Sequence, residues 1–270
     1  MNDPALSVVI PARNEEGSVQ ATLIDVASTL RREDISFEII VVNDASTDST
    51  ADRVKELAAD YPEIRLVHNR GRNGFGMAIR CGIENTNGAA IAIMMADCSD
   101  SPEDLVSCFR KLGEGYDCVF GSRFVRGGKV IDYPRHKLAL NRMANLFIRL
   151  LFGIPFNDFT NAFKLYRREV IAGMQPLISP HFNLTVEMPL KAIVRGYTFA
   201  TLPISWTNRK SGISKLKIKE MGSRYLFIVL YLWLEKFLAR GDYHRRHYAT
   251  RPLVGEAPGL RPDLSRPPSR

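Results

Sequence analysis

From residue 6 to about 121, short apolar runs rich in β-branched residues alternate with stretches whose apolar positions recur every three or four residues. That alternation predicts a parallel sheet with crossover helices. Strands are expected over Leu6 to Pro11, Phe37 to Asn43, Ile64 to His68, Ala89 to Met95 and Asp117 to Gly121. Between them, helices are expected over about Glu15 to Arg32, Ser49 to Asp60, Met77 to Asn85 and Pro102 to Gly113. Strands so spaced and buried on both faces make an α/β fold with a Rossmann-like, mostly parallel sheet. After residue 121 helical patterns dominate, at about 136–152, 167–174, 183–196 and 214–239, with extended segments near Ala162 to Tyr166 and Phe199 to Ser205. No repeat or hinge-like linker interrupts the chain. The expectation is therefore one domain over 1–243, with a first half at 6–121 and a second at 122–243.

Charge changes this picture in three places. Residues 244–270 carry six arginines against Glu256 and Asp263, with five prolines and little aliphatic periodicity, and are expected to be a disordered basic tail. Between 123 and 149, Arg123, Arg126, Lys129, Arg135, Lys137, Arg142 and Arg149 face only Asp132, a density that calls for an anionic partner. The segment 207–224 sets six cations against Glu220, just before the apolar and aromatic run YLFIVLYLWLEKFL. That adjacency suits either a solvated helix or an interfacial one. The longest apolar run, Tyr225 to Leu234, is too short to span a bilayer, and the N-terminus lacks a signal-peptide pattern, so a cytoplasmic chain is expected. Cys81, Cys98, Cys108 and Cys118 form no CxxC pair, which argues against a zinc ribbon or a disulfide framework. The cations are not interleaved with aromatics as in a nucleic-acid-binding module, so no nucleic-acid partner is expected.

Ligands of open parallel sheets collect beyond the carboxyl ends of the strands. Here those positions read PARNEE (11–16), NDASTDST (43–50), HNRGRNGFG (68–76), MADCSDSPED (95–104) and GSRFVRGG (121–128), a mixture of carboxylates, arginines and glycines that suits a nucleotide diphosphate. Asp44, Ser46, Thr47 and Asp48 fit a helix cap as well as a pocket, and Gly71 to Gly76 fits a tight turn as well as a phosphate cradle. In the fourth segment Ser101, Pro102 and Asp104 fit the N-cap, N1 and N3 positions of a helix. That leaves Asp97 unexplained, at the mouth of a buried strand, where a Mg²⁺ or Mn²⁺ ion would offset its charge. Helix 136–152 carries Leu138, Met143, Leu146, Phe147, Leu150 and Leu151 near a 3.6 period, with Lys137, Asn141, Arg142 and Asn145 elsewhere. A packing helix or a membrane-surface helix would both look like this.

The ordered succession VVIPARNEE, VVNDASTDST, GRNGFGMAIRCGI, MADCSDSPEDL, GSRFVRGG, NDFTNAFKLYRREV and NRKSGISKLK, covering about residues 6 to 240, resembles the family 2 glycosyltransferases of the GT-A fold. Within them it is most similar to the polyprenyl-phosphate branch. The resemblance implies inverting transfer of a sugar from a UDP- or GDP-linked donor to a dolichyl or undecaprenyl phosphate, by an enzyme lying peripherally on the inner face of the membrane. It implies a nucleotide-sugar pocket of Pro11, Arg13, Glu15, Asp44, Ser46, Asn73, Gly74, Ala96, Asp97, Arg209 and Lys215. It further implies a metal held by Asp97 with Ser99, and an acceptor phosphate bound by Arg123, Lys137 and Asn141. The catalytic contribution would come from Asp97, Arg123 and Arg209, and Glu187 matches a recurrent acid of open role. This chain departs from the family pattern at six positions: Met95 stands where the first carboxylate of an Asp-x-Asp motif is usual, Asn43 for an acid, Arg13 for an aromatic, Lys164 and Lys137 for arginines and Asn141 for a serine. No general base is required, because a phosphate monoester with a second pKa near 6 is already anionic at neutral pH. Two competing readings are a glycosyltransferase acting on a saccharide or protein hydroxyl, which would need a base, and a silent nucleotide-sugar or lipid-phosphate binder.

Overall fold

A computed structural model describes residues 3–208, 218–239 and 241–248. The first half builds β1 (Leu6–Ala12), α1 (Val19–Arg32), β2 (Phe37–Asn43), α2 (Thr50–Asp60), β3 (Ile64–His68), α3 (Phe75–Glu84), β4 (Ala90–Ile93), α4 (Pro102–Gly113) and β5 (Cys118–Ser122). The second half contributes β6 (Lys129–Ile131), α5 (Arg135–Phe152), β7 (Lys164–Arg167), α6 (Arg168–Gly173), α7 (Leu184–Val194), β8 (Phe199–Pro203), β9 (Ser205–Thr207), α8 (Ile218–Leu238) and α9 (Arg245–Tyr248).

Seven strands form one sheet in the order β3-β2-β1-β4-β7-β5-β8, and β6 pairs with β9 apart from it. Every residue of β1 and β2 is buried, which is why these strands read as unbroken apolar runs. They pair in parallel from Leu6 opposite Phe37 to Ala12 opposite Asn43. The chain runs outward from β1 through β2 to β3, then returns to place β4 on the other side of β1. Ligand crevices form at such a reversal, at the carboxyl ends of the strands. The exception to parallel order is β7, inserted antiparallel between β4 and β5, so the second half is woven into the sheet rather than appended to it. One apolar core lies between the sheet and α1, α2 and α4, and a second between the sheet and α3, α5, α6, α7 and α8.

Several elements differ from the sequence expectation: β4 stops at Ile93 rather than Met95, α3 begins at Phe75 rather than Met77, and three further differences have a visible cause. Helix α1 begins at Val19, not Glu15, because the amides of residues 14–16 bond to side chains of the next loop. The strand expected over Phe199 to Ser205 is broken at Ile204, and its second part pairs with β6, whose three residues carry too little pattern to be foreseen. Arg245–Tyr248, within the segment expected to lack structure, is helical; the Arg245 amide donates to the Arg195 carbonyl and its guanidinium pairs with Asp117.

Helix α7 is apolar nearly all round and buried from Leu184 to Ala192, as a helix enclosed by protein must be. By contrast α5 and α8 present large apolar side chains to the surface: Met143 is 64% and Leu150 72% exposed, Phe227 62% and Leu238 71%. Among the described residues no helix is long and apolar enough to cross a membrane. All four cysteines are free.

Candidate active site

The loops that follow β1 and β2 are bonded to each other along their length. The Asn14 amide donates to Ser46 Oγ (3.1 Å), Thr47 N to Asn14 Oδ1 (2.8 Å), Glu15 N to Thr50 Oγ1 (2.8 Å) and Ser49 N to Glu16 Oε2 (3.0 Å). Asn14 and Ala45 both take left-handed φ values, 54° each, which turns the two loops toward one another. The capping role open to the second loop falls to Asp48, whose carboxylate accepts from the Thr50 amide and hydroxyl (3.1 and 2.6 Å). Asp44 does something else. It is buried, and its two oxygens accept from Asn69 Nδ2 (2.8 Å) and the Gly74 amide (2.9 Å), tying β2 to the glycine-rich loop. Pro11 is buried beside it, whereas Arg13 and Asn73 are exposed at the rim.

The glycine-rich loop owes its composition to a close backbone approach. A Cβ on Gly76 would lie 2.2 Å from the Ser179 carbonyl oxygen, and one on Gly74 would lie 2.4 Å from that of Pro180. Phe75 stacks on Phe182 at 4.1 Å. The opposing segment is held by Glu187, which is fully buried: Oε1 accepts from the Ile178 amide (2.8 Å), Oε2 from Ser179 (2.7 Å), and Oε1 also pairs with Lys191 (2.9 Å). The acid left open by the sequence is thus a scaffold for the segment packed against the glycine-rich loop.

Strand β4 ends at Ile93, and the chain then folds into a compact loop. Its Ala96 carbonyl accepts from Ser18 Oγ (2.9 Å) and Thr22 Oγ1 (3.1 Å), anchoring it to the start of α1. Cys98 adopts φ 57°, and the Asp97 carboxylate accepts from the Ser99 amide (3.2 Å). Asp97 and Ser99 are therefore adjacent oxygen donors, and the buried Ser99 Oγ has no hydrogen-bond partner in the structure. A hydroxyl orphaned beside a carboxylate fits a hard divalent cation. Among the described residues, no three or more His, Cys, Asp or Glu side chains gather as a metal cage. Asp100 turns inward and accepts from the Met95 amide (2.9 Å); burial, opposed by that bond, pushes its pKa up to about 7. Ser101 caps α4 and Pro102 follows at N1, as expected, but the Asp104 carboxylate accepts from Ser205 N (2.7 Å) instead of completing a capping box.

Arg123 is nine-tenths buried and already paired. Asp158, fully buried, accepts from its amide (2.9 Å), Nε (2.8 Å) and one terminal nitrogen (2.7 Å). The guanidinium lies against the rings of Phe124 (5.1 Å) and Trp206 (5.6 Å), and Tyr133 meets Trp206 edge-on. Of the residues grouped with it from the sequence, Lys137 is half-buried on α5, and Asn141 Oδ1 accepts from Thr160 (2.9 Å) and Asn145 (2.6 Å). Asn145 in turn receives the Phe159 amide (2.6 Å), so α5 and the NDFTNAF segment are hydrogen-bonded together. Lys164 lies fully buried nearby, donating to the carbonyls of Phe159 and Asn161. Its burial, partly offset by the Asp158 charge, pulls its pKa down to about 7. Asp158 and Trp206 were not singled out from the sequence. Asp158 stands in a quoted motif, but its pairing with a residue 35 positions earlier is a tertiary fact. Arg209 and Lys215 lie outside the described residues.

The model of the family described as "Glycosyl transferase family 2" matches residues 7–173. The chain is 30% identical over 215 residues to polyprenol monophosphomannose synthase of Mycolicibacterium smegmatis, covering 77% of this chain and 80% of that protein. It is 27% identical over 219 residues to dolichol-phosphate mannosyltransferase of Pyrococcus furiosus, covering 79% of this chain and 60% of that one. Among solved structures, glucosyl-3-phosphoglycerate synthase from Mycobacterium tuberculosis, in complex with Mn²⁺, UDP-glucose and phosphoglyceric acid, superposes with a TM-score of 0.66 at 19% identity, over 85% of this chain and 80% of that one. A likeness at that identity speaks for the fold.

Proposed function

The chain belongs to glycosyl transferase family 2, in the polyprenyl-phosphate branch, and on that premise we propose that it moves a hexose from a UDP- or GDP-linked donor to a polyprenyl phosphate at the inner face of the membrane. Mannose is the sugar its two named relatives share, and is the first candidate. The observation that carries the reading is the composition of α5. One helix presents Lys137 and Asn141 on the side bonded to the Asp158 segment, and Met143, Leu146, Phe147 and Leu150 to the surface. A phosphate bound at one side of such a helix leaves its hydrocarbon chain on the other, and α8 extends the apolar surface.

The chemistry then follows from the residues present. Pro11, Arg13, Glu15, Asp44, Ser46, Asn73, Gly74 and Ala96 are the proposed nucleotide pocket, with Arg209 assigned by the resemblance to the diphosphate and Lys215 to the same nucleotide-sugar set. Arg123 reaches the acceptor phosphate with the terminal nitrogen outside the Asp158 fork, and the aromatic rings of Phe124 and Trp206 keep its surroundings dry. An oxygen of that phosphate attacks the anomeric carbon as the diphosphate leaves, with inversion and with no proton to remove. Asp97 and Ser99 would hold Mg²⁺ or Mn²⁺, which supplies charge neutralisation to the departing diphosphate. With Met95 in place of a second carboxylate, that site is expected to bind its ion weakly.

The test is a transfer assay with undecaprenyl or dolichyl phosphate in detergent, a panel of labelled UDP- and GDP-sugars, and Mg²⁺, Mn²⁺ or EDTA. Label from one donor in the organic phase supports the proposal and names the sugar. Label only on water-soluble products would replace it with a hydroxyl acceptor.

A further inference from the structure

The acceptor site assembled above is short of positive charge. A phosphate monoester carries about −1.5 to −2 at neutral pH, whereas the charge of Arg123 is already balanced by the buried Asp158 carboxylate, which accepts three hydrogen bonds from it. Asn141 is neutral, and its Oδ1 accepts from Thr160 and Asn145. Lys164 turns its ammonium inward, to the carbonyls of Phe159 and Asn161. Of the residues assigned to the acceptor, Lys137 is left to supply the net charge, and one cation does not neutralise a dianion.

Arg142 stands beside this site and has no role so far. It follows Asn141 on α5, is exposed, and forms no ion pair with a carboxylate among the described residues. Its guanidinium lies 5.5 Å from the centroid of the Phe124 ring, the ring that the Arg123 guanidinium approaches at 5.1 Å. One cation is buried, the other is exposed, and a half-buried aromatic side chain joins them. Contact with a ring orients a guanidinium without neutralising it, so its N–H groups stay available to an anion.

The pattern along α5 distinguishes Arg142 from an ordinary surface charge. Arg135, Arg142 and Arg149 recur every seven residues and so form one row on the helix, all three exposed. Among the described residues, Arg142 alone of the three contacts the Phe124 ring. The exposed Leu146 is one turn from both Arg142 and Arg149. A phosphate arriving from the surface with its hydrocarbon over Leu146 would meet Arg142 before the buried Arg123. We propose that Arg142 is a further phosphate-binding residue of the acceptor site, supplying the net positive charge that the Arg123–Asp158 pair does not. The proposal rests on the polyprenyl-phosphate reading of that site.

The binding test uses the full chain in detergent with farnesyl phosphate and farnesol, probes that differ only by the phosphate, titrated calorimetrically without a sugar donor. The wild type should bind farnesyl phosphate more tightly than farnesol. Arg142→Ala should weaken farnesyl phosphate about tenfold, the size of one charge-assisted hydrogen bond, and leave farnesol unchanged. Arg142→Lys keeps the charge and should recover part of the loss. Arg149→Ala removes the same charge two turns along the same row and should change neither probe.

Equal weakening by Arg142→Ala and Arg149→Ala would overturn the proposal in favour of a diffuse surface field. Equal weakening of both probes by Arg142→Ala would overturn it in favour of lost packing on Phe124. A wild type that binds the two probes equally refutes the polyprenyl-phosphate reading, and this proposal with it. A wild type that prefers the phosphate, with an Arg142→Ala variant that prefers it as strongly, refutes this proposal alone. In the transfer assay Arg142→Ala should raise the KM for polyprenyl phosphate about tenfold while the KM for the nucleotide sugar holds. An unchanged KM for the lipid would contradict a binding role.

Discussion

Asp158→Asn tests whether the buried Arg123–Asp158 pair acts as a unit. The wild-type carboxylate accepts three hydrogen bonds from Arg123, at 2.7–2.9 Å, with the side chains 5% and 0% exposed. The asparagine side chain removes the negative charge and turns an NH₂ group toward a guanidinium that has only donors. Breaking a buried pair from one side destabilises by about 3–5 kcal/mol, because the remaining charge stays uncompensated. For a domain of this size that corresponds to a fall in melting temperature of roughly 6–20 °C. Arg123→Met should be destabilising for the mirror-image reason. The double variant Arg123→Met/Asp158→Leu should recover most of the loss, since exchanging a buried ion pair for apolar groups of similar volume is often near neutral. Its transfer activity should nevertheless stay low, because the cation proposed to face the acceptor phosphate is gone. Thermal melts and urea titrations of wild type, Arg123→Met, Asp158→Leu and the double variant give the coupling energy directly. If Asp158→Asn melts within 2 °C of wild type, or if the two single losses simply add in the double variant, the pairing does not work as argued.

Asp97→Asn is expected to lower kcat of sugar transfer by about 100-fold or more, in line with removal of one electrostatic element from a transfer site; full activity would exclude Asp97 from the metal site. Met95→Asp, which restores a second carboxylate, should lower the metal concentration giving half-maximal activity by roughly tenfold, and an unchanged metal titration would count against a cation near this loop. Glu187→Gln should destabilise by about 3–5 kcal/mol by leaving Lys191 unpaired inside α7, measured by urea titration; a loss below 1 kcal/mol would contradict the scaffold role. Lys164, whose pKa falls from 10.5 to about 7 on folding, makes the unfolded chain bind more protons between those values. Wild-type stability should therefore rise relative to Lys164→Met from pH 7 to pH 10, by on the order of a few kcal/mol, and parallel pH profiles would refute the shift.

The alternation of strands and helices over the first half was readable from the chain because its strands are buried on both faces and so cannot hide their apolar runs. For the same reason the fold class and the motifs at the strand ends stood out: each is a local string whose chemistry is carried by neighbouring residues. Helix α5 was placed to within one residue, since its apolar period is strong. Helix α1 was started four residues early, because the amides of residues 14–16 donate instead to side chains more than thirty residues away.

What only the tertiary structure decided are matters of pairing across distance. Nothing local indicates that β7 runs antiparallel between β4 and β5, that Asp44 reaches the glycine-rich loop, or that Glu187 supports the segment opposing it. Arg123 illustrates the difference most clearly. The resemblance proposes it as a phosphate ligand, and the structure adds that Asp158 takes its Nε and one terminal nitrogen. That constraint arises from burial, and burial is a property of the packed chain rather than of any residue within it.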